Sequence, residues 1–594
     1  MKTTRRKKPD CCPESLSASA VPPSPARRAF LGKLGAAATV GAAALAAPSV
    51  ASAHSDPHDG GPSFQAPDVP AHGRVAQAFQ LRVSEATADA LKGPAVNINN
   101  GDDDLYSDKA GTYTKGLAHD GFGRVDPSSY ASFKKALRTG NFSDWENLIV
   151  GGTRTQNGPQ GAYAFDLEAL DNSQFGQPQV PPAPRLASDQ TATELVEHYW
   201  AALLRDVAFT DYGSSALAAA AAAELGAQPA YFGPRNGSGH VTPNLLFRGA
   251  FPGETLGPYV SQFLLQPTFF GALPVSQQLQ SALPNIDYGT DFASWLDIQN
   301  GVDTNVRNEI DPQLRYRHNG RDLASLTHMD VLYQEYLTAL LVLSTINGNP
   351  PGSFTPGGAP PNPGCPYVHS RTENGFGTFG WPDFACTLGE AAIKALNAVW
   401  YQKWLVHLRP RPEAIAGLVH LIKSGNGNKT SARLSNVVLN SVAAQQTFSK
   451  FGTWLLPLAF PEGSPAHPSY PTGHGTVGGA CVTVLKFFFD GNFVIPDPLV
   501  PSSDGLSLVP YAGPDAGQLT VNGELNKLGH NVSFGHGIHS GIHWRSDTDT
   551  SLLLGEAVAL SFLKDKARTC NEPFTIHLQK FDGTTATISN VGNP

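Results

Sequence analysis

Charged side chains are scarce in this sequence. Only 15% of the 594 residues are charged, the formal net charge is -8, and the pI is near 6.1. A chain with a net negative charge repels a polyanion unless the chain has a concentrated basic face. The composition therefore gives no reason to propose nucleic acid as a partner. Hydrophobic residues make up 41% of the chain, enough for one large core or two smaller ones. We therefore expect a globular protein in which any basic site is local.

The chain also lacks a strongly apolar run of membrane-spanning length. Its most apolar N-terminal stretch, residues 31–47, is short and diluted by Ala and Gly, whereas a spanning helix needs about 20 apolar residues. This stretch follows Arg27-Arg28 and precedes Ala51-Ser52-Ala53, an order that resembles a twin-arginine export signal with a small-residue cleavage site. We predict that residues 1–53 are a signal peptide and that the mature protein is periplasmic or extracellular. After cleavage we expect no membrane association.

Cysteine is rare, with six residues in the whole chain. Two of them lie in the predicted signal, and the mature chain keeps Cys365, Cys386, Cys481 and Cys570. Their spacing matches no metal-binding motif. An even number in an exported protein permits disulfides, but buried free thiols explain the same residues equally well.

Glycine and proline are plentiful, at 60 and 48 residues, and predict long irregular connections. Residues 54–187 show little sustained periodicity, which predicts a loop-rich N-terminal region with a subunit-contact or lid role. A catalytic helical domain is expected over residues 188–565 and a small hairpin over residues 566–594. We find no internal repeat of fixed period.

Helical periodicity dominates from Ser188, a candidate N-cap, onward. The predicted helices cover residues 189–207, 216–225, 322–346, 384–407, and 523–564 with a break near residues 535–541. Between them, the Pro/Gly run over residues 347–366 predicts a long surface loop. Near the C-terminus, residues 575–589 alternate like a β-hairpin with a two-residue turn at Asp582-Gly583. The predicted fold class is mainly α, a helical bundle with long loops and a small terminal ribbon.

Three separated clusters carry the chemistry, and each has a plain structural explanation beside the functional one. Lys403 and Arg411 flank a proline break and can reach a common anion, although cations near a helix C-terminus often only complement its dipole. Thr472, Gly473 and His474 open an apolar helix and offer donors for an anion at its start. An ordinary N-cap with exposed histidines explains that second cluster equally well.

The third cluster contains three histidines, His536, His539 and His543, followed by Asp547. The histidine spacing of i, i+3 and i+7 permits a divalent-metal site on one helical face. Glycines at positions 535, 537 and 541 argue against a regular helix there, and a metal site would leave the Lys/Arg cluster without a purpose.

Taken together and in this order, the clusters resemble the signature segments of the vanadium-dependent haloperoxidases, whose fold and site are shared with class A bacterial acid phosphatases. The motifs are Lys403 with Arg411-Pro412, then Pro471-Thr472-Gly473-His474, then His543 with Asp547. The similarity is strongest to the bromoperoxidase branch and spans roughly residues 300–565. It implies a helical bundle of that family, and homo-oligomers of two or more subunits.

The resemblance also implies a vanadate cofactor and a role for each matched residue. His543 would be the vanadate ligand, with Asp547 orienting its imidazole ring. The remaining vanadate-binding residues would be Lys403, Arg411, Thr472, Gly473 and His474. Lys403 would polarise bound hydrogen peroxide and His474 would act as the acid–base group. Halide would then be oxidised to hypohalous acid, and His467 matches an extra histidine typical of bromoperoxidases, which favours bromide.

Two positions depart from the family pattern. The family has serine where this chain has Thr472, and it has a second arginine six residues before the vanadate ligand, where this chain has Gly537. Arg545 or a protonated His536 are the candidates to compensate for the lost charge. The same constellation also fits an acid phosphatase with His543 as nucleophile and His474 as the proton donor to the leaving group. A non-catalytic relative with a degenerate site is the third alternative.

Overall fold

A computed structural model describes residues 71–346 and 358–591 of the chain. Ala76–Pro594 forms one compact unit, and of the preceding unit, Met1–Val75, only the start of a helix is described. The predicted signal peptide therefore lies outside the described residues, as does the 347–357 part of the predicted loop. None of the helices in the described ranges has the length and apolar character needed to cross a bilayer.

Helices dominate the described residues, and the predicted fold class is confirmed. The α-helices are α1 Ala71–Lys92, α2 Asp102–Leu105, α3 Pro127–Thr139, α4 Phe142–Glu146, α5 Asp189–Leu204, α6 Ala216–Gly226, α7 Phe292–Asn300, α8 Gly320–His328, α9 Gln334–Thr345, α10 Trp381–Tyr401, α11 Pro412–Leu421, α12 Asn436–Leu439, α13 Val442–Phe451, α14 Gly473–Phe488, α15 Val521–Phe534 and α16 Arg545–Thr569. Helical turns of π type continue α10, α11 and α15 at Gln402–His407, Ile422–Asn426 and Gly535–His539. Short 3-10 helices lie at Pro159–Tyr163, Asn172–Gln174, Phe209–Ser214, Pro243–Leu245, Gln262–Leu264, Gly427–Lys429 and Ala516–Gln518.

The strands form antiparallel two-stranded ribbons. They pair β1 Thr268–Phe270 with β2 Leu273–Val275, β3 Leu499–Pro501 with β4 Leu508–Pro510, and β5 Thr575–Gln579 with β6 Thr585–Ser589. The last ribbon is the predicted C-terminal hairpin. Its turn has three residues and not two, because the Lys580 amide still pairs with the Thr584 carbonyl at 2.7 Å and Gly583 takes a positive φ of 80°.

Helix α14 forms the centre of the bundle and is buried along its whole length. It packs closely on α16 because glycines let the two backbones touch. A Cβ at Gly479 would lie 2.1 Å from the Leu552 carbonyl oxygen, and one at Gly555 would lie 2.0 Å from the Thr476 carbonyl oxygen. The N-termini of both helices meet, since the Thr472 amide donates to the Asp547 carbonyl at 3.3 Å. Two positive helix ends therefore face one region of the core.

Most predicted helices are found near their expected positions, but one is broken. Ser188 caps α5 by accepting a hydrogen bond from the Thr191 amide at 3.2 Å, as its sequence position predicts. The single helix predicted over residues 322–346 is wrong, because α8 ends at His328 and α9 begins at Gln334. The apolar spacing continues across this break, so periodicity alone hides it. Val331, an apolar residue within the break, is exposed.

The N-terminal region holds more helix than its composition predicts. The helices α1 and α3 run for 22 and 13 residues within a stretch expected to be loops and short elements. The side chains of α1 are largely exposed, so it has little apolar periodicity to detect. Phe133 of α3 packs against Trp404 with ring centroids 6.2 Å apart. This region therefore covers the turn that carries Lys403.

A buried ion pair also ties this region to the rest of the bundle. The Lys115 ammonium lies 2.6 Å from the Glu413 carboxylate, and both side chains are almost fully buried. Glu413 also accepts hydrogen bonds at 2.8 Å from the amide and the hydroxyl of Ser464. Removing one partner of such a pair leaves the other as an uncompensated buried charge.

Replacing Glu413 with glutamine is expected to lower the free energy of unfolding by about 3 kcal/mol, because it strands the Lys115 charge. Urea titration followed by circular dichroism measures the change. The exposed pair between Arg307 and Asp303, 3.0 Å apart, provides a matched control. Asp303→Asn should change the free energy of unfolding far less, since exposed pairs are screened by water. Equal costs for the two variants would contradict the assignment.

None of the cysteines predicted to remain in the mature chain is paired in the structure. Cys365, Cys386, Cys481 and Cys570 are all free thiols. Of the two explanations left open by their number, the structure therefore supports free thiols.

Candidate active site

Lys403 and Arg411 lie in the interior and are held by backbone carbonyls. Lys403, in the π turn after α10, donates from Nζ to the carbonyls of Pro468 and Ser469 at 2.9 and 2.7 Å. Arg411, just before α11, donates from Nε to the His467 carbonyl at 3.0 Å and from Nη1 to the Ile542 carbonyl at 3.1 Å. Carbonyls fix the position of these cations without neutralising them.

Neither of these cations has a carboxylate partner within the described ranges. Burial lowers the pKa of Lys403 well below its usual value, and the nearby Arg411 charge lowers it further. Burial likewise lowers the pKa of Arg411 to about 10. In contrast, the neighbouring Arg409 is neutralised by Asp547 at 2.6 Å and Glu194 at 3.6 Å. The buried pair Lys403 and Arg411 therefore lacks a counter-charge that an anion would supply.

The segment before α14 brings further donors to the same place. Thr472 occupies the N-cap position, yet its hydroxyl makes no capping bond, is buried, and has no hydrogen-bond partner among the residues described. Gly473 follows it at the positive end of the helix. A Cβ at Gly473 would lie 3.2 Å from the Trp400 ring, so this position has little room for a side chain. An unpaired hydroxyl and a helix N-terminus together form an anion cradle.

His543 presents one ring nitrogen to the cations and the other to a carboxylate. Arg411 Nη1 lies 2.8 Å from Nε2 of His543, and a guanidinium can only donate, so Nε2 is the accepting nitrogen. The proton is then on Nδ1, which lies 3.1 Å from Asp547 Oδ2. Ser469 also donates to Asp547 Oδ2 at 2.5 Å. Burial, followed by the Arg411 and Lys403 charges, lowers the pKa of His543 far below its usual value, so Nε2 stays unprotonated and can bind a ligand once Arg411 releases it.

His474 has a partner that the sequence did not reveal. Its Nε2 lies 2.9 Å from Oδ2 of Asp330, a residue in the break between α8 and α9. Since the carboxylate accepts, His474 carries a proton on Nε2 and directs Nδ1 away from Asp330. Treating residues 322–346 as one helix concealed this residue, and its separation of 144 positions from His474 leaves no sequence signal.

His467 also lies in the same part of the molecule. Its ring packs on Trp400 at a centroid distance of 4.8 Å and lies 6.3 Å from the ring of His543. One of the Arg411 terminal nitrogens, Nη2, lies 3.1 Å from His467 Nδ1. The structure thus brings together every residue that the sequence analysis assigned to the site.

A cavity of about 430 Å³ lies next to this cluster and is lined by Ala466 and Ile542, the chain neighbours of His467 and His543, but not by the predicted vanadate-binding residues themselves. Its walls come from distant parts of the chain, including Lys115, Arg154, His328, Phe460 and His536. Two short parts of the N-terminal region, around Lys115 and Arg154, therefore line the cavity next to the site, which no sequence motif indicates. A larger cavity of about 600 Å³ lies between Phe209, Arg248 and Tyr511, and His536 does not line it.

The three histidines of the third cluster do not converge. His539 bonds through Nε2 to the Tyr259 hydroxyl at 2.9 Å and packs on Phe247, neither of which contacts His543. Within the described residues, no group of His, Cys, Asp and Glu side chains is arranged to hold a metal ion. The alternative of a divalent-metal site formed by these three side chains is therefore wrong.

Arg545 does not compensate for the glycine at position 537. Its guanidinium donates to both carboxylate oxygens of Glu197, at 3.0 and 2.5 Å. Arg545 is thus committed to a structural ion pair. His536, the other candidate, lines the cavity and stacks on His474 with ring centroids 3.9 Å apart. Burial and the neighbouring His474 lower the pKa of His536 well below its usual value, so the expected protonated form is not supported.

Vanadate fits the chemistry of these side chains. An oxyanion of this kind requires cations for its oxygens, neutral donors, and a nitrogen lone pair for one bond. Lys403 and Arg411 offer the charge, Thr472 and Gly473 offer donors, and Nε2 of His543 offers the lone pair. On a helical bundle, this arrangement defines an oxyanion-binding enzyme.

Comparison with known proteins identifies the family. The chain is 35% identical to the vanadium-dependent bromoperoxidase of Ascophyllum nodosum, with 87% of this chain and 92% of that protein covered. It is 31% identical to the vanadium-dependent bromoperoxidase of Corallina pilulifera, covering 87% of this chain and 98% of that protein. A solved structure titled the homohexameric second vanadate-dependent bromoperoxidase of Ascophyllum nodosum matches with a TM-score of 0.81 and 27% identity over 92% of this chain and 94% of that one. No protein-family model matches the chain.

This chain therefore belongs to the vanadium-dependent bromoperoxidase family, and it is a haloperoxidase enzyme. The resemblance recognised from its three motif clusters is confirmed.

Proposed function

We propose that this enzyme binds vanadate and uses hydrogen peroxide to oxidise bromide to hypobromous acid. The overall reaction, in which bromide, hydrogen peroxide and a proton give hypobromous acid and water, is balanced in atoms and charge. The main support is the buried, unneutralised pair Lys403 and Arg411, of which Arg411 contacts the accepting nitrogen of His543. When bound, vanadate supplies the centre at which hydrogen peroxide becomes electrophilic toward halide.

Each residue of the proposed site has a task that its geometry supports. His543 Nε2 binds the cofactor, while Asp547 and Ser469 hold the proton on Nδ1 and fix the ring. Lys403 and Arg411 neutralise oxyanion charge, and their carbonyl partners keep them in position. Most of these groups are oriented before any ligand arrives, and on binding the Arg411 donor must turn from Nε2 of His543 to the ligand.

Thr472, Gly473 and His474 complete the site. The Thr472 hydroxyl and the Gly473 amide add neutral donors, so the unpaired hydroxyl gains a partner on binding. His474 takes up and returns the proton of the reactants, with Asp330 setting its ring orientation.

Bromide is the proposed halide. Support comes from His467, which matches the extra histidine of bromoperoxidases and lies beside Arg411 and Trp400, and from the names of the relatives. Hypohalous acid released from the cavity can halogenate organic acceptors outside the protein. The acceptor therefore requires no binding site on the enzyme.

We also propose export and self-association. The predicted twin-arginine signal over residues 1–53 supports export of the folded enzyme to the periplasm or beyond the cell. The homohexameric state named for the structural relative supports an assembly of two or more subunits. Light scattering of the purified mature chain measures the assembly directly.

The decisive assay compares two reactions of one purified sample. Orthovanadate is titrated into the protein, and bromination of a phenol-type dye with hydrogen peroxide is measured beside hydrolysis of an aryl phosphate. We expect bromination that rises with vanadate and saturates. Phosphate hydrolysis without bromination at every vanadate concentration would instead select the acid phosphatase, in which His543 is the nucleophile. Absence of both activities would select a non-catalytic relative.

A further inference from the structure

The π turn Gly535–His539 controls which side chain enters the oxyanion site. A π turn accommodates one more residue than the α-helix it interrupts, so the side chains after it shift by about one position. The turn lies between α15 and the segment that carries His543. Position along the chain alone therefore does not identify the residue that faces the site.

Gly537, the position at which the chain departs from the family pattern, faces the backbone of His543. A Cβ built on Gly537 would lie 3.2 Å from the His543 Cβ and 3.3 Å from its carbonyl oxygen. The Gly537 carbonyl accepts hydrogen bonds from the amides of Ile542 and His543, at 2.8 and 3.3 Å. This position supports the loop carrying His543 and has little space for a long side chain.

His536, one residue earlier, projects into the site. Its ring stacks on His474 at 3.9 Å, lies 5.6 Å from the ring of His543, and lines the 430 Å³ cavity. Only 6% of its surface is exposed, and its Nδ1 is buried without a hydrogen-bond partner among the described residues. Its Nε2 likewise makes no hydrogen bond to them. A buried imidazole with no protein partner costs free energy that a ligand can recover.

We propose that His536 is a third oxyanion-binding residue, and that it sets how strongly this site holds tetrahedral oxyanions. The proposal rests on the proposed function, because it concerns the same anion cradle. A single imidazole N–H supplies one directed hydrogen bond, whereas a guanidinium at the same point would supply two and a fixed charge. The site is therefore built for weaker oxyanion binding than two cations plus an arginine would give.

Equilibrium binding to the full-length mature protein tests this without relying on turnover. Isothermal titration with orthovanadate, and separately with inorganic phosphate, gives Kd for the wild type and three variants. His536→Ala should raise Kd about tenfold, since one hydrogen bond to a charged group is lost. His536→Arg should lower Kd by about tenfold or more. Gly537→Arg should not lower it, because that position faces the His543 backbone and not the cavity.

His407→Gln is the matched control. His407 is buried to a similar extent and also lacks ring hydrogen bonds among the described residues, but it packs on Tyr470 and does not line the cavity. The His407→Gln variant should have the same Kd as the wild type. If thermal melting shows that the His536→Arg variant does not fold, His536→Gln takes its place. The Kd of His536→Gln should lie between those of the wild type and His536→Ala, because its amide still donates one hydrogen bond.

The outcomes separate this inference from the proposed function. If the wild type binds vanadate and brominates while His536→Ala leaves Kd unchanged, His536 is not an oxyanion-binding residue and only the inference fails. The inference would also be overturned if Gly537→Arg lowered Kd below that of the wild type and His536→Arg did not. If the wild type binds neither vanadate nor phosphate, the proposed function fails as well.

Discussion

Replacing His543 with alanine is expected to abolish vanadate-dependent bromination, with a loss of more than about 10³-fold, because it removes the ring nitrogen to which the cofactor would bond. Bound vanadate, followed by ⁵¹V NMR on the purified protein, should disappear in parallel. The fold should be retained, since a smaller side chain leaves the Asp547 bonds to Arg409 and Ser469 in place.

Asp547→Asn tests the orientation of the His543 ring separately from its bond to the cofactor. An amide keeps the shape of the carboxylate but holds the Nδ1 proton of His543 less strongly, so vanadate affinity should fall by about 10 to 100-fold without vanishing. Arg409 also loses the nearer of its two carboxylate partners, so urea denaturation must accompany the measurement. Full bromination by His543→Ala would disprove the assignment of the cofactor ligand.

Replacing His474 with alanine is the second large effect. We expect kcat to fall by about 10² to 10⁴-fold while vanadate binding changes little, because His474 transfers a proton and the cations bind the anion. Steady-state bromination over a range of peroxide concentrations separates kcat from KM, and ⁵¹V NMR reports occupancy.

Asp330→Asn tests the positioning of His474. It should lower kcat less than the alanine variant does and should shift the pH profile of bromination, because the carboxylate no longer holds the Nε2 proton. Val331→Ala is the control, since this neighbouring side chain is exposed and remote from the bond. A His474→Ala enzyme with normal kcat would remove the proposed acid–base role.

Local patterns predicted much of the fold, and their failures share one cause. The capping position of Ser188 and the alanine-rich composition of α6 predicted these helices, because both signals depend only on neighbouring residues in the chain. The broken helix at residues 329–333 and the exposed helix α1 were missed. Apolar spacing reports burial. It therefore does not mark a helix break when the apolar residues on both sides keep the same spacing, and it does not reveal a helix with few buried side chains.

In the candidate site, too, some residues were recognisable from local motifs and others were not. Lys403, Arg411 and His543 were recognisable because their residue types and order match known motifs, and the structure brings them together. Asp330 and the cavity-lining Lys115 and Arg154 carry no motif. Their contribution depends on which distant segments pack around the first set.

The inventory of reactive groups was determined by the sequence itself: two cations near a proline break, a donor-rich helix start, and a histidine four residues before an aspartate. Their order along the chain was enough to reveal the family, because motif spacing is a property of the chain.

The tertiary structure alone decided which nitrogen of His543 is available, which arginine remains unpaired, and that His536 and not Gly537 enters the cavity. These outcomes depend on close packing between α14, α16 and the π turns. Packing couples residues more than a hundred positions apart, and a one-residue change of helical register redirects a side chain without altering any local pattern.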